Sequence, residues 1–174
     1  MTDRILSASL AVLMLSAGAV SAQDTAAESF TAQVAAADGT DHGTVTVQPT
    51  ASGYALVTLD LQGLPPGQVA VHLHETGACE GPSFESAGGH LALDGQDHGI
   101  MTETGPHVGD LPNLHVPDSG EAMVEHFAPE LTADVINDDD GTAFIIHGGT
   151  DDYESQPSGD AGDRIACGVL AAAE

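Results

Sequence analysis

Lysine and tryptophan are missing from all 174 residues, and arginine occurs only as Arg4 and Arg164 against 27 acidic side chains, a formal charge of −25. A chain with so few cations cannot displace the counterions of a phosphate backbone, which excludes nucleic acid as a partner. An anionic membrane surface is excluded for the same reason. Aromatics are also scarce, at 4 Phe and 2 Tyr, so the core must be mostly aliphatic. A hydrophobic fraction of 41%, with 21 Gly and 9 Pro, is nevertheless more than a disordered acidic tail carries, and it supports one globular domain.

Only one long apolar run occurs, over residues 5–20. It follows Arg4 and leads into the small residues Val20-Ser21-Ala22, so residues 1–22 read as a secretory signal peptide and 23–174 as the mature domain. The run is shorter than the roughly 20 apolar residues of a spanning helix and contains several Ser and Gly, which favours cleavage over anchoring and no membrane contact afterwards. Arg164 is then the only cationic side chain left. The expected compartment is the periplasm, an oxidising space in which the two cysteines, Cys79 and Cys167, can close a single bridge. So long a closure is worth about 4–5 kcal/mol in the chain-entropy account. Two unrelated buried thiols are the alternative, which export disfavours.

No stretch of the mature chain keeps a 3.6-residue apolar period over three turns. Short alternating stretches recur instead, at 29–34, 43–50, 54–61, 68–75, 121–127, 131–136, 142–147 and 164–170, separated by Gly, Asp and Pro. In the third, Ala55, Val57, Leu59 and Leu61 share one face. This is an all-β pattern, and about eight antiparallel strands predict a Greek-key sandwich or flattened barrel. Two segments, 76–120 and 148–163, are too polar to bury themselves, and loops of that length in a compact domain are usually functional or disordered.

Histidine is abundant for a chain of this size, at 9 residues. On the 68–75 strand, Val69, Val71 and Leu73 face one way, so His72 and His74 project together from the other. Such a pair is by itself a weak metal signal. His147 closes the 142–147 strand opposite Phe144 and Ile146, where a lone histidine is usually structural. The first long loop adds His90, His98, His107 and Asp110. Three imidazoles and a carboxylate suit zinc in a closed tetrahedral site. His72, His74 and His147, with one loop histidine shared, would form a four-nitrogen set suited to Cu(II). His42, His115 and His126 fit neither set and read as structural or solvated.

Six motifs now stand in order: His72-Leu-His74-Glu-x-Gly-x-Cys79, Ser86-Ala-Gly-Gly-His90, His98-Gly, Gly105-Pro-His107-Val-Gly-Asp110, His147-x-x-x-Asp151 and Arg164-Ile-Ala-Cys167-Gly-Val. Together they make residues 29–170 resemble a Cu,Zn superoxide dismutase of the bacterial periplasmic type. The resemblance implies copper held by His72, His74, His90 and His147, and zinc held by His90, His98, His107 and Asp110, with His90 shared. It implies a Cys79–Cys167 disulfide, Asp151 hydrogen-bonded to the free nitrogens of His72 and His98, and Arg164 beside the copper. It also implies superoxide as substrate, with His90 as proton carrier and Arg164 as the anion's docking group. Carboxylates placed like Asp151 fix imidazole tautomer and orientation.

The acidity opposes an anionic substrate, and periplasmic members of the family usually carry lysines that this chain lacks. Within a Debye length of about 8 Å, Arg164 and the metals are expected to dominate locally. The competing reading is an exported copper or zinc sequestering protein on the same fold. Arg164 and an open copper position, which storage does not need, favour the enzyme. Relatives include monomers and dimers, so a homodimer stays open.

Overall fold

The computed structural model describes residues 28–173, so the expected signal segment lies outside the described residues. The elements are β1 (Phe30–Ala36), β2 (Asp41–Pro49), β3 (Tyr54–Leu61), β4 (Gly67–Val69), β5 (Val71–His74), β6 (Leu114–Val116), β7 (Ala122–Pro129), β8 (Ala143–His147), β9 (Arg164–Val169) and β10 (Ala171–Ala172), with a 3-10 turn at Glu85–Ala87 and one α-helical turn, α1 (Ala133–Ile136). The large sheet runs β5-β8-β9-β1-β2-β3-β7 and is antiparallel throughout, while β4 and β6 form a separate ribbon. The neighbours β3–β7 and β5–β8 are far apart in sequence, which is the Greek-key signature. Because β4 runs into β5 through Ala70, and β6 shortly precedes β7, the ribbon lies next in sequence to both edge strands of the curled sheet. Among the described residues no helix is long and apolar enough to cross a membrane.

Period-2 alternation fills the inside. Phe30, Ala32 and Val34 of β1, Val45 and Val47 of β2, and Ala55, Val57, Leu59 and Leu61 of β3 join Val71, Leu73, Phe144 and Ile146 in one buried cluster. Strand β8 is buried on both faces. Its other face, Ala143 and Ile145, meets a smaller cluster of Phe84, Ala87 and Cys167, with Cys79 packed against it. The segment after β5 therefore folds back over the outside of the barrel and is tied there by the Cys79–Cys167 disulfide.

Three expectations are corrected. Segment 131–136 is not a strand: the Thr132 side chain accepts from Val135 N–H and caps the turn α1, while Leu131 and Ile136 are buried at its two ends. A local cap satisfies the backbone without a partner strand. The 68–75 strand is broken at Ala70, whose N–H donates to the Gly149 carbonyl and whose carbonyl accepts from His147 N–H, so β4 and β5 pair in different sheets. Segment 76–120 is not wholly loop, since Leu114 and Val116 are buried in β6.

Phe144 is fully buried, so Phe144→Ala should cost about 3–5 kcal/mol. A lowered urea midpoint with unchanged m-value checks this.

Candidate metal centre

Strand β5 is the end of the large sheet, and the following loop covers its open edge. Leu73 N–H donates to Gly109 O at 2.9 Å, and Leu91 N–H donates to Leu73 O at 2.9 Å. This lays His90 opposite His74 and Asp110 opposite His72. Gly109 is needed there, because a Cβ would collide with the Leu73 carbonyl and sit 3.1 Å from the Leu91 side chain. On the other edge, β8 pairs with β5 and brings His147 to the same end.

Two sets of ligand atoms result: His72, His74, His90 and His147, and His90, His98, His107 and Asp110. Within each set the atoms lie within 4.8 Å of one another. His90 belongs to both. Its ring centroid is 4.0 Å from that of His72 and 5.1 Å from that of His98.

Hydrogen bonds behind the rings decide which nitrogen faces inward. Asp151 accepts from His72 Nε2 at 2.8 Å and from His98 Nε2 at 3.0 Å. His74 Nδ1 donates to Gly88 O at 3.0 Å, and His147 Nδ1 to Gly162 O at 3.3 Å. Each ring then presents its second nitrogen unprotonated. Those nitrogens, His72 Nδ1, His74 Nε2, His98 Nδ1 and His147 Nε2, are buried without a hydrogen-bond partner, as are His90 Nε2 and His107 Nδ1. His98 Nδ1 and His107 Nδ1 lie 3.0 and 3.3 Å from Asp110 oxygens, but not in hydrogen-bonding geometry. Asp110 Oδ2 accepts from Gly99 N–H and His107 N–H, which leaves Oδ1 to face His90 Nδ1 at 2.7 Å. Such buried lone pairs, aimed at common points and lacking protons, are the donor set of a cation. The residues fit two metals.

Burial holds three of these imidazoles, His72, His74 and His147, neutral. It pushes His74 down to about 2, His147 to about 3 and, against the pull of Asp151, His72 to about 4. Burial alone would raise the Asp110 carboxyl, but hydrogen bonds from His90 and Gly99 N–H outweigh it and keep the group ionised. Asp151 is lowered in the same way by its bonds to His72, Tyr153 N–H and His98.

Arg164 opens β9 beside this cluster. Its Nη1 donates to Phe84 O at 2.8 Å and Nη2 to Gly88 O at 2.7 Å, so it is held by backbone carbonyls of the disulfide-tied segment rather than by a carboxylate. With His74, His90, His107 and His147 it lines a depression walled by Pro157, Ser158 and Gly162. Asp38, Glu85 and Asp163 line the groove on its other side.

The structure thus brings together every residue that the sequence singled out. His42 instead bonds Gln62 O, His115 is exposed on β6, and His126 sits half-buried on β7. Sequence reasoning missed Asn113, whose amide bonds both the N–H and the carbonyl of Asp151, and Tyr153, whose hydroxyl accepts from Asn113 N–H. It also missed Gln156 and the Gly88 carbonyl. An Asn and a Gln in polar loops carry no local signal.

The fold and its paired ligand sets define a two-metal β-barrel protein, with a nitrogen set fit for a redox metal beside a closed structural one. The sequence model for copper/zinc superoxide dismutase (SODC) matches residues 41–170. The chain is 44% identical over 121 residues to superoxide dismutase [Cu-Zn] 2 of Aquifex aeolicus, covering 66% of this chain and 71% of that one. It is 40% identical over 149 residues to superoxide dismutase [Cu-Zn] of Caulobacter vibrioides, covering 82% and 85%. Among solved structures, Cu/Zn superoxide dismutase from Brucella abortus aligns with TM-score 0.69 at 29% identity, covering 83% of this chain and all of the other. A SOD-like protein from Bacillus subtilis aligns with TM-score 0.75 at 35% identity, covering 82% and 99%. The chain belongs to the copper/zinc superoxide dismutase family: it is an oxidoreductase acting on superoxide, with copper and zinc as cofactors.

The metal-free protein should lose stability in acid. Unfolded histidines protonate near 6.5 and the folded ones far lower, so the unfolded state binds more protons between those values. Stability is full above about pH 6.5 and falls toward about pH 3, as urea midpoints taken down that range will show.

Proposed function

We propose that this superoxide dismutase holds copper through His72 Nδ1, His74 Nε2, His90 Nε2 and His147 Nε2, and zinc through His90 Nδ1, His98 Nδ1, His107 Nδ1 and Asp110 Oδ1. Six buried nitrogens without hydrogen-bond partners, all within these two sets, carry this assignment. Two superoxide anions and two protons give one dioxygen and one hydrogen peroxide. Bound copper supplies the one-electron couple that alternates between the halves of that reaction, and bound zinc supplies a fixed charge behind His90.

The chain's own residues do the rest. Arg164 spends one donor on each of two carbonyls and keeps others for a diatomic anion at the depression. His90 is placed to carry the proton. With Nδ1 committed to the zinc set, only Nε2 can take one, in the half of the cycle in which it does not hold copper, and hand it to the reduced anion beside it. Asp151 orients one ring from each set, and Asp110, His98 and His107 hold His90 from behind.

A fold does not by itself carry turnover, so a sequestering role on the same barrel is the alternative to be tested. Arg164, held at the depression by carbonyls alone, favours the enzyme. Superoxide decay followed by pulse radiolysis should be fast and proportional to bound copper, with both metals quantified. Arg164→Glu should slow it about 10–100-fold with copper and zinc retained. Unchanged turnover would remove the docking role, and no turnover at full copper would leave sequestration.

The reading extends to export, with residues 1–22 a cleaved signal, 23–174 the mature domain and the periplasm its compartment. The apolar run at 5–20 and the disulfide support it. Protein recovered from a periplasmic fraction should have the mass of a chain starting at Gln23. An intact Met1 would sink the cleavage.

A further inference from the structure

The segment 148–163 grips the zinc set at a second point besides Asp151. His98 N–H donates to Gln156 Oε1 at 3.0 Å, and Gln156 Nε2 donates to the His98 carbonyl at 2.8 Å. Thr102 Oγ1 adds a bond to that carbonyl at 3.1 Å. With Asp151 on Nε2, every polar atom of His98 is engaged except Nδ1, the atom that faces the zinc set. One carboxamide bonding both backbone groups of one residue acts as a neighbouring strand would, and it fixes that residue in two directions. Gln156 Nε2 also donates to Glu154 O at 3.1 Å, closing the turn around Gln156. Pro157 and Ser158 follow at once, and they wall the depression that His147 and Arg164 line.

We propose that Gln156 is a positioning residue that latches this wall to His98, so that zinc held by His98 also sets how the copper-side depression presents itself to an anion. The proposal rests on the ligand assignment above. Zinc on Nδ1 immobilises the His98 ring and, through it, the peptide that Gln156 reads. Without Gln156 the hydrogen bonds that tie this segment to the zinc loop are those of Asp151 and of the Tyr153 carbonyl, which accepts from Met101 N–H, and both lie ahead of the wall. Coupling of this kind is reciprocal, so a loosened wall also weakens zinc. Gln156 is exposed, and its truncation leaves the core intact.

The test is amide hydrogen exchange on the whole protein, metal-free and with zinc alone, for the natural chain, Gln156→Ala and Gln156→Glu. Zinc should slow exchange across 155–162 in the natural chain. In Gln156→Ala that slowing should shrink about tenfold, the order expected for losing two hydrogen bonds of ordinary net strength. Zinc stoichiometry and the slowing across 98–110 should persist. Gln156→Glu keeps an acceptor for His98 N–H but loses the donor to its carbonyl, and should fall between. In copper-loaded protein, azide should bind more tightly with zinc than without, and the difference should narrow in Gln156→Ala. Undiminished slowing across 155–162 in Gln156→Ala overturns the latch and leaves the ligand assignment standing. A natural chain that binds no zinc, or whose zinc binding survives His98→Ala unchanged, overturns the assignment itself.

Discussion

Six imidazole nitrogens buried face to face without hydrogen-bond partners are the constraint around which the molecule is organised. An unsatisfied buried polar atom costs about 1–3 kcal/mol, and here several are gathered in one place. Protonation does not relieve those of His72, His74 and His147, which burial holds neutral well below neutral pH. Cations relieve them all, so metal binding and folding stability are the same free energy.

Holding the rings in that state takes fixed partners behind each one. Asp151 serves two rings from one carboxylate, and the Gly88 carbonyl accepts from both His74 and Arg164. These partners lie on loops, which the barrel alone cannot order. Gly159 shows how tightly the second loop packs, since a Cβ there would run into the Asp151 carboxylate. The disulfide does the same work at the opposite side, pinning the segment that carries Phe84 and Gly88 onto β9, so that Arg164 is braced from both ends.

The charge of the chain acquires a location in this frame. The single guanidinium among the described residues faces the metal-ligand depression, with Asp38, Glu85 and Asp163 on its other flank. An anion nearing the site meets a field set by a few local groups over roughly a Debye length, against a negative background everywhere else.

The sequence by itself determined the strands with clear alternation, such as β3, the pairing of His72 with His74 on one face, and the motif order that singles out the two candidate ligand clusters. These are local: period-2 patterning and short spacings are written in consecutive residues. It misread 131–136, where a Thr cap and two buried ends satisfy alternation as well as a strand does. It also missed the break at Ala70, because a change of partner strand leaves no mark in a continuous apolar pattern. Only the tertiary structure decided which nitrogen of each ring faces inward, since tautomer depends on what lies behind the ring. It alone recruited Asn113 and Gln156, whose amides act on backbone groups 38 and 58 residues away. A polar side chain in a polar loop declares nothing until the fold brings a distant peptide within hydrogen-bond reach.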